Sequence, residues 1–342
     1  MIELAANIQQ TVLGFLPGRR KKSGQWTTFN AVCCSHMGES ADTRSRGGII
    51  CNPAGSISYH CFNCGFKAGF YPGRPLGFRF RKLLRWMGAD DNTIQLLVME
   101  AMRLREIMPP LEDEPVADLE VSYKPRPLPV DSASLQEWAT VIRLMDENAL
   151  LDSQLKTAVS YVYERAIDLQ RYDFYVSTDK AYNMHKRVII PYYWKKELIG
   201  YTARAVDDSV KPKYHNSHDS GFVFNTDQQH PDAKFVIVTE GPFDAMAIDG
   251  VSVLHNEVSD TQADIIESLG REVIVVPDWD EAGKKLIEAA LDYGWSVSFP
   301  VWREKHKDVN SAVMEYGKLF VLKSILAGKE SNPIKIQLRQ RL

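Results

Sequence analysis

Outside residues 33–64 the 342-residue chain contains no cysteine; all five, Cys33, Cys34, Cys51, Cys61 and Cys64, fall inside that window. An odd, clustered set argues against a disulfide framework and for a metal. No apolar run of about eighteen residues is present, which excludes an ordinary membrane-spanning helix. The N-terminus, "MIELAANIQQTVLGFL", lacks the basic stretch and small-residue cleavage site of a secretory signal, so a cytoplasmic protein without a membrane partner is expected. The phosphate-binding pattern G-x-x-x-x-G-K-[ST] is also missing, since "DEAGKK" has neither the first glycine nor the hydroxyl residue. No ATP-driven motor of that type is therefore expected, and no internal repeat is visible.

What the chain does contain is enough apolar residue, 44% hydrophobic against 25% charged, for two or three soluble globular domains. The net charge of −3 hides an asymmetry: residues 1–88 hold twelve Lys/Arg against three Asp/Glu, and the remainder holds 29 against 41. Local fields rather than totals attract polyanions, so the N-terminal part suits a nucleic acid. "MPPLEDEPVADLEVSYKPRPLPV", residues 108–130, carries six of the 17 prolines, a density that sustains neither a helix nor a central strand, and reads as a semi-rigid linker.

This gives a multidomain α+β plan. Residues 1–107 form a small zinc-ribbon-like β module with short strands ("GGIICN", "SISYHCF") and the helical run "FRFRKLLRWMGADDNTIQLLVMEAMRLRE". After the linker 108–130, residues 131–233 form a mixed α/β basic subdomain. Helix is expected over 131–170, and a hairpin in "RVIIPYYWKKELIGYTARA" turning at Lys195-Lys196-Glu197. "YDFYVSTDKAYNMHK" reads equally as core or as groove. From residue 234 to 330, Val/Ile runs alternate with helices, as in a mainly parallel sheet covered on both faces. Residues 331–342 form a tail.

"VCCSHMGES" and "YHCFNCGFK" give Cys33-x2-His36, 24 intervening residues, and Cys61-x2-Cys64. Two ligand pairs on tight turns suit one closed, structural tetrahedral Zn²⁺ site. Cys34 could replace Cys33, although only Cys33 keeps the x2 spacing to His36, and a set of reduced, unliganded thiols is the alternative. Basic runs around the cluster ("GRRKKSGQW", "GRPLGFRFRKLLRW") interleave with Trp26, Phe78, Phe80 and Trp86. Cations that follow phosphates and rings that stack on bases suit single-stranded nucleic acid; the alternative is that the rings are core.

In the C-terminal part, "FVIVTEGPFDAM" ends a strand in Glu240 and places Asp244 four residues on, while "REVIVVP" runs into Asp278 and Asp280. Asp308 and Asn310 follow the strand "WSVSFPV". Carboxylates at the C-terminal ends of parallel strands occupy the usual ligand position of α/β sheets. Oxygen ligands without His or Cys suit Mg²⁺ or Mn²⁺, and a pair of such ions suits in-line phosphoryl displacement. Helix capping by Asp244 and Asp280 is the alternative.

"VTEGPFDAM" and "VPDWDEAG" resemble the E-G-x-x-D and D-x-D motifs of the TOPRIM fold. "RVIIPYYW", "LIGYTARAV" and "KPKYHNS" resemble, in that order, three basic motifs of bacterial and phage primase polymerase domains. "KDVNSAV" resembles K-D-x-N-E/D, with Ser311 in place of the acid. Taken with the zinc knuckle and linker, nearly the whole chain resembles phage DNA primases of the T-even type, with His36 where many members carry a cysteine.

The resemblance implies synthesis of short RNA primers on single-stranded DNA from ribonucleotide triphosphates. Glu240, Asp278 and Asp280 would hold two or more Mg²⁺ or Mn²⁺ ions. Glu240 would also be a base for the 3′-hydroxyl, Asp308 a further ligand and Asp244 a supporting one. Arg187, Arg204 and Lys213 would face nucleotide and template. The implied partners are the template, the RNA primer, a separate replicative hexameric helicase and a single-strand DNA-binding protein. A TOPRIM nuclease or topoisomerase, or a non-catalytic zinc-dependent recombination mediator, are the rival readings.

Overall fold

A computed structural model describes residues 2–107, 121–137, 153–255 and 257–340. The chain divides into two compact units, Met1–Asp118 with Glu267–Arg271, and Leu119–Ile266 with Glu272–Leu342. Residues 108–120 of the Pro-rich stretch lie outside the described residues, and 121–129 have no regular secondary structure. Among the described residues, no helix is long and apolar enough to cross a membrane.

The first unit is built on an antiparallel sheet in sequence order: β1 (Lys21–Ser23), β2 (Trp26–Phe29), β3 (Gly47–Cys51), β4 (Ile57–Cys61) and β5 (Lys67–Phe70). Ile57, Tyr59 and Cys61 alternate inward along β4, the period-2 burial of a one-sided sheet. Helices Ile2–Gly14, Phe78–Trp86 and Asp91–Ile107 complete the core through Ile8, Val12, Phe80, Leu83 and Leu97. The long helical run predicted from sequence is thus two helices, interrupted at residues 87–90. Phe78 and Phe80 are buried, so these two of the four rings expected to meet bases are packing residues; Trp26 and Trp86 are half-buried.

The second unit carries two sheets. The first is antiparallel, in the order β10-β9-β8-β7-β6, from β6 (Ser132–Ser134), β7 (Tyr175–Ser177), β8 (Arg187–Trp194), β9 (Glu197–Ala205) and β10 (Tyr214–Ser217). The β8–β9 hairpin turns where the sequence places it, with Lys195 (φ 52°) and Lys196 (φ 68°) in the left-handed region that glycine usually supplies. Part of the helix expected over 131–170 is replaced by β6, because "DSAS" has weak helix propensity and pairs with β7. Residues 138–152 lie outside the described residues, and Ser153–Glu164 is helical. Tyr172 and Phe174, left open by the sequence, are core.

The other sheet has the order β12-β11-β13-β14-β15, from β11 (Phe235–Thr239), β12 (Val251–Ser252), β13 (Glu272–Val275), β14 (Ser296–Ser298) and β15 (Lys329–Glu330). The first four are parallel, and β15 adds an antiparallel edge. Helices Pro242–Ile248, Asp260–Ser268, Glu281–Tyr293, Val309–Tyr316 and Lys318–Ala327 alternate with or follow these strands. The segment set apart as a tail contains the helix Pro333–Gln340, anchored by buried Ile336.

Candidate metal centre and candidate active site

In the first unit, one atom from each of Cys33, Cys34, Cys61 and Cys64 lies within 4.8 Å of the others. Cys33 Sγ is 3.4 Å from Cys64 Sγ, and Cys34 Sγ is 3.5 Å from Cys61 Sγ. Four sulfurs at about 2.3 Å from one zinc would sit roughly 3.8 Å apart, so a Cys₄ cage fits with a small outward relaxation. His36, favoured by spacing, stands outside this group. Residues 34–37 form a single 3-10 turn that carries Cys34 inward and leaves His36 exposed. The imidazole stacks on Trp86 instead, with centroids 4.7 Å apart and planes 4° from parallel. Cys51, on β3, is also outside the group.

The surroundings of the thiols would also suit a metal centre. Tyr59 Oη lies 3.2 Å from Cys33 Sγ, and Asn63 Nδ2 donates to Cys34 Sγ at 3.4 Å. Arg46 in turn holds Asn63 Oδ1 and donates to buried Asp42. Such outer groups orient ligands and stabilise thiolate charge. Burial opposes ionisation of Asp42, yet bonds from Ala31, Arg44 and Arg46 hold its carboxyl down to about 2. Burial, with Cys64 and Cys61 alongside, raises Cys33 above the usual thiol range; a cation reverses that cost.

The acids gather in the second unit. Glu240 follows β11, and its Oε1 accepts from Asp278 N at 3.1 Å. Trp279 N donates to Lys307 O at 2.9 Å, so three loops are joined, one link through the Glu240 carboxylate and one backbone to backbone. Asp280 caps the helix Glu281–Tyr293 through Gly283 N at 3.0 Å, and Asp308 caps Val309–Tyr316 through Ser311 N at 2.8 Å. Both therefore perform the capping role as well as facing the cluster. Asp280 Oδ2 meets Lys307 Nζ at 2.8 Å, and buried Asp244 accepts from Asn310 N at 2.8 Å.

Two glycines make this closure possible. A Cβ on Gly283 would stand 2.0 Å from Asp278 O, and one on Gly241 would stand 2.8 Å from Asp244 Oδ2. At Gly283 the obstacle is backbone and no side chain fits, whereas at Gly241 a side chain would have to displace the Asp244 carboxylate; both glycines are explained without any phosphate loop.

Electrostatically the acids form one group. Burial, then the charges of Asp244, Glu240, Asp308 and Asp280, push Asp278 up to about 8. Burial and Asp308 push Asp244 up to about 7. Burial, with Asp280 adding to it, raises Glu240. Among the described residues no three of these carboxylates bring their oxygens within 4.8 Å of one another. As placed, the acids therefore do not make a metal cage out of protein oxygens alone.

The basic residues divide. Arg204 on β9 is 8% exposed, its guanidinium lies 4.6 Å from the centroid of the Tyr214 ring, and its Nε is buried without a hydrogen-bond partner among the described residues. Lys213 is exposed, and the charge of Arg204 first, then burial, Lys307 and Arg165, lower its pKa. Arg187 does not join them. It is 1% exposed and donates to the carbonyls of Tyr182, Ala203, Pro212 and Lys213, so its guanidinium is engaged by backbone where the resemblance implies a nucleotide-facing position.

Sequence reading missed Arg165 and Lys307. Arg165 Nη1 donates to Asn310 Oδ1, and Asn310 Nδ2 returns a bond to Arg165 O, both at 2.9 Å. Its guanidinium lies 4.6 Å from the Tyr161 centroid and 4.8 Å from that of Phe243. Nothing local in "YERAID" marks it. Lys307 sits beside Asp308 in "KDVNSAV", where the lysine itself was the available signal.

No family model matches this chain. It is similar to the DNA primase of Aquifex aeolicus, 25% identical over 152 residues, which span 39% of this chain and 30% of that protein. It is also similar to the DNA primase of Mycoplasma genitalium, 22% identical over 210 residues, 56% of this chain and 34% of that one. The chain spans about a third of the length of the curated relatives it matches. Among solved structures, it aligns with a DnaG primase catalytic domain bound to single-stranded DNA at 16% identity and a TM-score of 0.44, over 60% of this chain and 81% of that one. It aligns with the zinc-binding and RNA polymerase domains of the Aquifex aeolicus primase at 18% identity and a TM-score of 0.44, over 96% of this chain and 85% of that one.

Proposed function

We propose that the chain is a DNA primase, a template-directed RNA polymerase that makes short primers on single-stranded DNA for replication. The relatives bearing that name support the reaction class. The observation that carries the reading is the juxtaposition, in one unit, of an uncompensated guanidinium with a cluster of raised carboxylates. Among the described residues Arg204 is buried with its Nε lacking a hydrogen-bond partner, beside Lys213, an arrangement suited to a phosphate group. Burial and the neighbouring acids raise Asp278, Asp244 and Glu240, so that each resists ionising on its own, an arrangement that divalent cations would relieve.

Glu240, Asp278 and Asp280 would hold Mg²⁺ or Mn²⁺, which when bound neutralises phosphate charge and makes the 3′-hydroxyl more acidic. Arg204 and Lys213 bind and orient the triphosphate. Glu240, with its pKa raised by burial, accepts the hydroxyl proton at a carboxylate oxygen. Asn310, clamped by Arg165, holds Asp244 in place. The Cys₄ centre folds the basic module that meets the template, and the Arg46–Asn63 pair orients Cys34. A separate helicase and a single-strand-binding protein are the partners that the resemblance supports.

The test is synthesis on random-sequence single-stranded DNA with labelled ribonucleotides and Mg²⁺, comparing wild type, the double variant Asp278→Ala/Asp280→Ala, and Cys61→Ser. Short RNA from wild type alone is expected. Degradation of the template, or binding without synthesis, would overturn the reading in favour of a nuclease or a non-catalytic DNA-binding protein.

A further inference from the structure

Arg187 has the largest fully buried side chain among the described residues, yet no carboxylate pairs with it there. A desolvated charge is costly unless its donors are met, and here backbone carbonyls meet them. Nη2 donates to Pro212 O at 2.7 Å, and Nη1 to Ala203 O at 3.1 Å and Lys213 O at 3.3 Å. Nε donates to Tyr182 O at 3.3 Å. Lys213 O also accepts from Ala205 N at 2.9 Å, so the lysine's backbone is held from two sides. The guanidinium is a planar, multi-donor strut joining the 181–186 turn, β9 and the 212–213 turn.

Arg187 and Arg204 belong to opposite faces of this sheet. Arg204 pairs with Val188 and Tyr214, whereas Arg187 pairs with Ala205. Directly paired residues share a face and neighbours along a strand alternate, so Arg187 and Arg204 project from opposite faces. We infer that Arg187 is a positioning residue, which acts on the reaction by fixing the turn that presents Lys213 to the triphosphate and does not itself contact nucleotide. This rests on the reading of Lys213 given above.

A double-mutant cycle tests it. Arg187→Lys keeps the charge but loses the planar fork, and Lys213→Ala removes the ammonium group. Each alone is expected to raise the ribonucleotide KM about tenfold with kcat changed by less than about threefold, and the double variant to stay near tenfold. A double variant whose KM rises by the product of the two, about a hundredfold, would overturn the inference.

Footprinting of the wild-type protein needs no variant to fold. With Mg-ATP, acetylation of Lys213 by acetic anhydride should slow, while Arg187 stays unmodified by phenylglyoxal with or without nucleotide. Arg187 modified in the free protein and shielded by ATP would overturn the positioning role alone. ATP that binds yet leaves Lys213 acetylation unchanged would remove the nucleotide reading of Lys213, and the inference with it.

Discussion

In the absence of divalent cation, replacing Asp278 by asparagine should stabilise the second unit even though it abolishes synthesis. The native carboxyl is pushed up to about 8 from an ordinary 3.8, first by burial and then by four neighbouring acids. Between about pH 4 and pH 8 the native state keeps a proton that the unfolded chain has already released. Stability therefore falls as pH rises through that window, by about 1.4 kcal/mol per pH unit for each such proton. Asp244, pushed up to about 7, adds to the slope in the lower part of the window.

At pH 7.5 the Asp278 share has an upper bound of about 5 kcal/mol; asparagine has the same shape and carries no charge to relieve. With local relaxation, the transition of a unit of this size should rise by about 5–10 °C. Calorimetry of wild type and Asp278→Asn from pH 5 to 8, in buffer free of Mg²⁺ but with the zinc retained, checks this. Added Mg²⁺ should then stabilise the wild type and leave the variant nearly unmoved. A wild-type transition that is flat across the window, with a neutral or destabilised variant, would refute the account of the acids as a strained, cation-relieved group.

Three further variants test the acid loops and the cysteine group. Gly283→Ala puts a methyl group 2.0 Å from Asp278 O; the loop must move, costing about 1–3 kcal/mol, and Mg²⁺-dependent synthesis should be lost while circular dichroism stays near native. For the metal centre, Cys34→Ser should lower the zinc content measured by atomic emission to well under one ion per chain. His36→Ala should retain the ion; loss of zinc from His36→Ala with retention in Cys34→Ser would show that the spacing-based ligand set is the right one.

The polar and apolar patterns already locate much of this architecture. Val/Ile runs of strand length separated by helical stretches are a local property, so β11, β13 and β14, and the position of Glu240 and Asp278 at their ends, are legible without any tertiary information. The acids of "TEG" and "DWD" fall at strand ends because the apolar run has to stop where the sheet leaves the core. Clustering of the cysteines likewise marks a candidate metal module from their positions alone.

Ligand choice and register are different in kind. Cys33 and Cys34 are adjacent, and only the 3-10 turn that buries Cys34 and exposes His36 brings the thiol rather than the imidazole into the cysteine group. Arg165 is paired to Asn310 across 145 positions, a relation that no local pattern carries. The hairpin gives the sharpest case. Counted back from Trp194–Glu197 without interruption, its register would set Arg187 opposite Arg204 on one face. The extra residue at Ile199 shifts the pairing to Arg187–Ala205 and Val188–Arg204, and a shift of one exchanges the faces. The sequence by itself therefore determined that two arginines lie on neighbouring strands, but only the bulge in the folded sheet decided that they project from opposite faces of it.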